Sequence, residues 1–160
     1  MPAYLMEELW QPIDGYQGLY EVSNLGRVRS LDRVLKRKNR STLEPDVTLH
    51  LKGKTLKSGL ATHGYLTVSL WKKNKGQTHC VHVLVTNAFI GDSTDADVNH
   101  KDGNKLNNAV NNLEICTRSE NMKHAYRLGL WKGGQKVRPP KDHPQPFCDD
   151  ASQLQLNFQD

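Results

Sequence analysis

Val98-Asn99-His100-Lys101-Asp102-Gly103-Asn104-Lys105-Leu106-Asn107-Asn108 is the stretch of this 160-residue chain that decides the fold. Its first residues belong to a short strand predicted at Asp97–His100, and the rest opens a polar loop that continues to residue 112. A second short strand is predicted at Leu113–Cys116, where apolar and polar residues alternate. Two short strands joined by a polar loop predict a β-hairpin with His100 at the end of its first strand.

A helix is predicted directly after this hairpin, from about residue 118 to residue 128. Thr117 and Glu120 have the spacing of a capping box, in which each side chain bonds to a backbone N–H group at the start of the helix. Gly129 is expected to end the helix. Asn121 lies in the first turn. Because helical side chains lean toward the N-terminus, Asn121 is expected to point back at the two strands.

Four polar side chains are expected where the hairpin and the helix join: His100, Asn112, Asn99 and Asn121. A neutral imidazole can take a proton from water at neutral pH, and an amide carbonyl can hold the proton on its other ring nitrogen. Amide oxygens suit a hard divalent cation such as Mg²⁺. The arrangement therefore suits phosphodiester hydrolysis. The alternative, which the residues leave open, is an ordinary Asn-rich turn with an incidental histidine.

The N-terminal half, residues 8–78, predicts a small antiparallel β module. Strands are expected at residues 19–22, 26–31 and 65–71, where residues alternate and β-branched or aromatic side chains are frequent. Tight turns are expected at residues 23–26 and 74–76, the second leading into a strand through Val81. Residues 81–90 fit a strand by their β-branched content and a helix by the spacing of their apolar residues.

A basic run occupies residues 27–40 of this module, with Asp32 as its one acidic residue. Arg27, Arg29 and Arg33 recur beside strand-forming residues, so they are candidates for an ordered basic face that contacts DNA phosphates. The alternative is a solvated loop, which charge runs usually form. The segment after Lys36 is expected to be a flexible loop.

Charge and composition narrow the class of protein further. All 22 Lys and Arg residues precede Asp142, against 13 of the 17 acidic residues, so a polyanionic partner is a natural hypothesis. A basic surface that only keeps the protein in solution is the alternative. No run of roughly 18 apolar residues could span a bilayer, and the N-terminus lacks the pattern of a secretory signal. Three widely spaced cysteines favour a reducing cytoplasm over a disulfide framework.

The stretch quoted first, together with Asn112-Leu113-Glu114 and Asn121, resembles the HNH nuclease family of the phage and intron-homing type. The resemblance implies a ββα-metal (His-Me finger) domain at residues 79–129. It implies that His100 is the general base and that Asn112 orients it. It also implies that Asn99 and Asn121 bind one divalent ion per active site, Mg²⁺ or Mn²⁺. Residues 81–90 are similar to the family's lead-in segment.

A second resemblance lies upstream, in Trp10-Gln11-Pro12-Ile13-Asp14-Gly15-Tyr16 and Tyr20-Glu21-Val22-Ser23-Asn24-Leu25-Gly26-Arg27-Val28-Arg29-Ser30. These segments resemble the NUMOD4 motif, which commonly precedes HNH domains in phage endonucleases and implies a contact with DNA. The two motifs in this order imply an α+β protein, with the N-terminal β module at residues 8–78 followed by the nuclease domain. Residues 130–160 are expected to form an extended or disordered acidic tail.

The chain departs from the family's pattern at two positions and in its tail. Homing relatives often carry Asp where this chain has Asn99, and a neutral amide is a weaker metal ligand than a carboxylate. They often carry Arg where this chain has Val83, which removes one phosphate contact. Relatives frequently continue into a helical DNA-reading domain, and the tail shows no such pattern.

Four further side chains are candidates for DNA contact. Lys101 and Lys105 flank the proposed centre and are placed to hold phosphates. His124 follows Asn121 by three residues and shares its helix face, the alternative being an exposed helix residue. His82 is the last candidate, with packing at the junction between the two modules as its alternative role.

The leading hypothesis is a metal-dependent DNA endonuclease of a phage or mobile element. It would act on double-stranded DNA in the cytoplasm of a bacterial host, as a monomer rather than a dimer. It would not bind a membrane. One alternative is a DNA-binding protein that has lost catalysis, which Asn99 and the missing specificity domain motivate. Another is an RNA-directed or structural phage protein, which a preference for RNA or a lack of nucleic-acid binding would reveal.

Overall fold

A computed structural model of the chain describes residues 7–37, 47–132 and 135–136. The first sheet is antiparallel in the order β1-β2-β3, with β1 at Trp10–Pro12, β2 at Tyr20–Ser23 and β3 at Val28–Ser30. The turn expected at residues 23–26 joins β2 to β3. There the Gly26 N–H donates to the Ser23 carbonyl at 3.0 Å. Gly26 has φ +84°, a conformation that glycine adopts without the steric cost of a Cβ.

Two more antiparallel units complete the N-terminal half. The first is an exposed two-stranded ribbon, made of β4 (Arg33–Arg37) and β5 (Val47–Leu51). The second is a sheet in the order β6-β7-β8, made of β6 (Gly59–Leu60), β7 (Leu66–Lys72) and β8 (Lys75–Cys80). Strands β7 and β8 are joined by Lys73 and Asn74, both at positive φ, which is the geometry of a two-residue hairpin loop. The turn therefore begins one residue earlier than the expected 74–76.

The second half has the expected strand, loop, strand and helix. Its elements are α1 (Val81–Phe89), β9 (Asp97–His100), a 3₁₀ helix (Val110–Asn112), β10 (Leu113–Cys116) and α2 (Arg118–Arg127). Residues 81–89 are helical, and their buried apolar side chains Val81, Leu84 and Val85 share the face turned to the core. The capping box of α2 is confirmed, since the Glu120 N–H donates to the Thr117 hydroxyl and the Glu120 carboxylate accepts from the Thr117 N–H.

One hydrophobic core joins the two halves of the chain. Its buried apolar side chains come from the N-terminal sheets, from α1 and from β10; they are Ile13, Tyr16, Tyr20, Val22, Val28, Val68, Leu70, Val81, Leu84, Val85 and Leu113. Burying an aliphatic side chain of this size stabilises a fold by about 1.5–3 kcal/mol. The N-terminal sheets therefore pack on the same core as the hairpin that carries His100.

The predicted division of the chain at residues 78 and 79 stays a prediction, as do the other predicted boundaries. Strand β8 runs across residue 78, and α1 follows it directly. Of the predicted acidic tail, β11 (Trp131–Lys132) and β12 (Gln135–Lys136) pair as a short hairpin, and the rest lies outside the described residues. Lys38 and Arg40 of the basic run also lie outside them, whereas Arg37 belongs to β4. Within the described parts of the chain, no helix is both long and apolar enough to cross a membrane.

Candidate active site

The β9–β10 hairpin sorts the polar side chains onto two faces. Asn99 is paired in register with Glu114, and His100 with Leu113. Because neighbouring residues of a strand point to opposite faces, Asn99 and His100 leave the hairpin on opposite sides. His100 faces α1, where it meets the ring of His82. Asn99 shares the other face with Asp97, which accepts a hydrogen bond from Asn121 of α2.

His100 is buried, with only 4% of its surface exposed. Its ring centroid lies 5.2 Å from that of His82 and 5.8 Å from that of Tyr65. Its Nε2 atom lies 3.2 Å from the Oδ1 atom of Asn108. Burial lowers the pKa of His100 and outweighs the hydrogen bond to Asn108 and the nearby Asp102 carboxylate, which both raise it. The imidazole is therefore neutral at neutral pH, which is the form that can accept a proton.

Among the described residues no hydrogen bond joins Asn112 to His100, and the orienting role expected of Asn112 stays a prediction. Asn112 lies in the 3₁₀ helix before β10 and faces the loop. Its amide nitrogen donates to Asp102 Oδ1 at 2.9 Å and to the Asn107 carbonyl at 2.8 Å. Its amide oxygen accepts from the Asp102 N–H at 3.1 Å. Asn112 thus holds the loop that follows β9, and the amide beside the His100 ring belongs to Asn108.

Asn99 on β9 and Asn121 on α2 each form a hydrogen bond with a carboxylate. The Asn99 amide nitrogen donates to Glu114 Oε1 at 2.7 Å, and that of Asn121 donates to Asp97 Oδ2 at 3.2 Å. Because each amide uses its N–H on a carboxylate, its carbonyl oxygen is the atom it can offer to a cation. Amide oxygens with nearby carboxylates are the donors that a hard divalent ion prefers. The residues present therefore fit such an ion. The part of the chain that the structure describes contains no cluster of three or more His, Cys, Asp or Glu side chains suited to a metal.

The three arginines predicted to contact DNA lie on the N-terminal sheets, and two of them are paired with acids. Arg27 forms an ion pair with Glu8. Arg29 pairs with Glu21 at 2.6 Å, and its guanidinium lies 4.1 Å from the centroid of the Trp10 ring. Arg33 lies over the ring of Tyr20. The charges of Arg27 and Arg29 are therefore already compensated, which reduces what they can offer to a phosphate.

The remaining candidates for DNA contact differ in how exposed their side chains are. Lys101 is exposed, and its ammonium group donates to the Asn111 carbonyl at 3.0 Å. Lys105 donates to the His63 carbonyl at 2.9 Å and lies over the Tyr65 ring. His124 is half-buried on α2. His82 is buried and packs against the rings of Tyr65 and His100, and the DNA contact expected of it stays a prediction.

Several residues around the site were missed by sequence reasoning. Asn108 was one of many Asn residues in the loop, and nothing in the local pattern distinguishes it. Tyr65 lies 35 positions before His100, too far for any local signal. Asp97 and Glu114 had a usable signal, since strand alternation and hairpin register place both on the face of Asn99.

Two family matches cover most of the described chain. Residues 8–71 match the NUMOD4 motif, and residues 79–123 match the HNH endonuclease family. Each match lies in the half of the chain where the sequence predicted it. The fold class is therefore confirmed as α+β, with N-terminal antiparallel sheets followed by an HNH-type domain.

Two relatives of this chain come from a phage and a prophage. The DNA endonuclease I-HmuI of Bacillus phage SP01 is 36% identical over 121 residues, which is 75% of this chain and 59% of that protein. YosQ, which derives from the SPbeta prophage of Bacillus subtilis (strain 168) and is named as an HNH homing endonuclease, is 46% identical over 82 residues. That match covers 50% of this chain and 47% of YosQ.

A solved structure of DNA binding and cleavage by the HNH homing endonuclease I-HmuI also matches the fold. The TM-score is 0.60 at 35% sequence identity, over 78% of this chain and 62% of that chain. The chain therefore spans less than two thirds of the length of each of these proteins. In sequence and in fold, this chain is a homologue of the phage HNH homing endonucleases, with a NUMOD4 motif ahead of its HNH segment.

Proposed function

We propose that this protein is a metal-dependent DNA endonuclease in which His100 is the general base. The observation that carries the proposal is the buried, neutral imidazole of His100 at the end of β9. The residue before it, Asn99, has an amide oxygen that can bind a cation. The similarity to I-HmuI supports DNA as the substrate, because that relative is named for DNA cleavage. The basic first 141 residues supply the charge that a DNA partner requires.

The proposed reaction is hydrolysis of one phosphodiester bond. His100 takes a proton from a water molecule as the water oxygen forms a bond to phosphorus. The bond between phosphorus and the 3′ oxygen breaks, and that oxygen leaves with a proton from solvent. The products are a 5′-phosphate and a 3′-hydroxyl. Since Asn99 and His100 leave the strand on opposite sides, the proposal requires the scissile phosphate to lie at the end of β9.

A divalent ion, Mg²⁺ or Mn²⁺, is part of this proposal, since HNH nucleases generally depend on such an ion. Asn99 and Asn121 would hold it through their amide oxygens, with Glu114 and Asp97 fixing the orientation of the two amides. When bound, the ion supplies positive charge that stabilises the negative charge developing on phosphate and on the leaving oxygen. Asn112 would act through the loop that it holds.

The partner and the setting complete the proposal. Double-stranded DNA would contact Lys101, Lys105 and His124 around the site, with Arg33 on the N-terminal sheets. The protein would act as a monomer in the cytoplasm of a bacterial host.

A second candidate function is DNA binding without catalysis. The observation in its favour is Asn99 itself, because a neutral amide binds a divalent ion more weakly than a carboxylate does. The two functions differ in their dependence on metal. DNA binding through basic side chains is weakened by salt but needs no divalent ion.

The deciding experiment incubates supercoiled plasmid with the protein in Mg²⁺, in Mn²⁺ and in EDTA. Wild-type protein should produce open-circular or linear DNA only with metal. His100→Ala should lose the activity by about 10²–10⁴-fold while binding DNA as before. His50→Ala, the same change on the exposed ribbon, is the matched control and should cut normally. A plasmid that is shifted on a gel but never cut would establish the binding function instead.

A further inference from the structure

We propose that Asn108 fixes the tautomer of His100 and that the turn at residues 23–26 of the N-terminal half holds Asn108 in place. Asn108 is a positioning residue in this proposal, since it acts through His100. The effect of the tautomer on catalysis rests on the proposed function, in which His100 is a general base. The contacts that fix the tautomer are all made by residues of this chain. The N-terminal sheets would then be part of the catalytic machinery in addition to contacting DNA.

The orientation of the Asn108 amide follows from its two contacts. The amide nitrogen donates to the Leu106 carbonyl at 3.1 Å, and a carbonyl can only accept. The amide oxygen is therefore the atom that faces His100 Nε2 at 3.2 Å. An amide oxygen is also only an acceptor, so Nε2 must carry the proton. The lone pair of the neutral ring is then on Nδ1, which becomes the atom that can take a proton from water.

The turn between β2 and β3 packs directly against Asn108. A Cβ placed on Gly26 would lie 2.9 Å from the Asn108 Cβ, closer than real Cβ atoms pack, and 3.2 Å from the Asn108 carbonyl oxygen, which is a tight contact. Two residues further along the loop, the Val110 N–H donates to the Asn24 carbonyl at 2.8 Å. The turn therefore contacts the loop on both sides of residue 109. A side chain on Gly26 would have to displace Asn108.

The turn is itself held firmly in place. Asn24 is buried, and its amide oxygen accepts from the Leu9 N–H at 2.9 Å while its amide nitrogen donates to the Glu7 carbonyl at 3.0 Å. The Ser23 hydroxyl accepts from the Arg27 N–H at 3.0 Å. A rigid turn packed against a buried amide is what positioning of the His100 ring requires.

The aromatic neighbours of His100, Tyr65 and His82, do not select a tautomer. Both contact His100 by packing of their rings. Neither forms a hydrogen bond with His100 among those found in the described part of the chain. Asn108 is therefore the side chain that decides which ring nitrogen of His100 carries the proton.

Long-range proton–nitrogen NMR spectra of the nitrogen-15-labelled full chain test the tautomer without relying on activity. Such spectra distinguish a protonated from an unprotonated ring nitrogen, and the His100 signals are identified by their loss in His100→Ala. Wild-type protein should show the Nε2–H form. Asn108→Ala should shift His100 toward a mixture of both tautomers, while Asn108→Asp, which keeps an acceptor at the ring, should retain the Nε2–H form.

Plasmid cleavage by the same proteins tests the functional consequence. Asn108→Ala should lower kcat with little change in KM, by between about 10-fold and the 10⁴-fold seen for a serine protease whose histidine holds the wrong tautomer. Asn108→Asp should restore part of the loss. Gly26→Ala should reproduce the Asn108→Ala spectrum and its loss of kcat. Gly18→Ala is its matched control, because Gly18 also has positive φ, at +73°, but has open space around it.

The outcomes separate this inference from the proposed function. A wild-type protein that cuts DNA, with His100 in the same tautomer in Asn108→Ala, overturns the inference and leaves the endonuclease proposal intact. A wild-type protein that cuts no DNA but loses the Nε2–H form in Asn108→Ala supports the positioning by Asn108 and overturns the endonuclease proposal. Normal spectra and normal cleavage in Gly26→Ala would overturn the part assigned to the N-terminal turn.

Discussion

The imidazole of His82 lies against that of His100, with ring centroids 5.2 Å apart and planes inclined at 64°. His82 belongs to α1 and His100 to β9, and Tyr65 from the N-terminal half contacts both rings. The Nδ1 atom of His82 is buried, and no hydrogen-bond partner for it is found among the described residues. Burial, and then the nearby His100, His63 and Lys105, lower the pKa of His82 from its ordinary 6.5 to about 4. Neutral histidines are thus packed at the junction of the two halves.

Acid should destabilise the protein through His82. In the unfolded chain this histidine takes a proton near pH 6.5, and in the folded protein only near pH 4, so the unfolded state binds more protons between these values. The free energy of unfolding should therefore fall as the pH drops from about 6.5 to about 4, by roughly 3 kcal/mol from this group. Urea denaturation across this pH range measures the loss.

His82→Leu isolates this contribution, because leucine fills the buried position with an apolar side chain that has no proton to gain. Its unfolding free energy should depend less on pH between 6.5 and 4 than that of the wild type. Equal pH dependence in the two proteins would show that His82 is not the group responsible.

Asn99→Asp should make stability more dependent on metal. Without metal, the variant loses the hydrogen bond from Asn99 to Glu114 and places two carboxylates in contact, which costs about 1 kcal/mol or more. With metal, the added carboxylate binds the ion more tightly than the amide does and stabilises the folded state by mass action. The difference in Tm between Mg²⁺ and EDTA should therefore be larger than in the wild type.

Asn111→Asp adds the same charge on an exposed part of the loop and is the control for Asn99→Asp. Its Tm difference between Mg²⁺ and EDTA should match that of the wild type. If Asn99→Asp gave no larger difference than Asn111→Asp, position 99 would not be a metal ligand.

Lys101→Ala should weaken DNA binding in a salt-dependent way. Lys101 is exposed, and its ammonium group bonds to the neutral Asn111 carbonyl and forms no ion pair within the described part of the chain, so its charge is available to a phosphate. Removing one phosphate contact should lower the slope of log affinity against log salt by about one. Arg27→Ala should change the slope less, because Glu8 already compensates the Arg27 charge. Fluorescence anisotropy with a labelled duplex at several salt concentrations makes the comparison, and equal slopes for Lys101→Ala and wild type would remove Lys101 from the interface.

Asn112→Ala should act mainly through the stability of the loop. The variant removes the bonds to the Asp102 carboxylate, the Asp102 N–H and the Asn107 carbonyl, and should lower the unfolding free energy by about 1–3 kcal/mol. Its loss of cleavage should be smaller than that of His100→Ala, because His100 and Asn108 remain. Urea denaturation and plasmid cleavage measure the two effects.

Asn107→Ala is the control for Asn112→Ala, since it removes an exposed hydrogen bond to Asp102 and a long one from the Ala109 N–H at 3.5 Å, and should cost about 1 kcal/mol or less. A stable Asn112→Ala protein whose activity equals that of His100→Ala would place Asn112 in direct contact with the chemistry instead.

The second half of the fold could be predicted from the sequence because its signals are local. The capping box of Thr117 and Glu120, the stop at Gly129 and the hairpin strands all depend on residues within a few positions of each other. Residues 81–89 could not be settled in the same way. Their apolar spacing fits a helix and their β-branched content fits a strand, and packing on the shared core decides for the helix.

The sequence by itself determined which residues stand at the end of β9 and the start of α2, namely Asn99, His100 and Asn121. The tertiary structure alone decided the surroundings of His100. It placed Asn108 at the ring where Asn112 was expected, buried His82, and brought Tyr65 and the turn at Gly26 from the other half of the chain. The physical reason is that local hydrogen bonds fix the elements, whereas the contacts of a buried side chain depend on how distant elements pack around it.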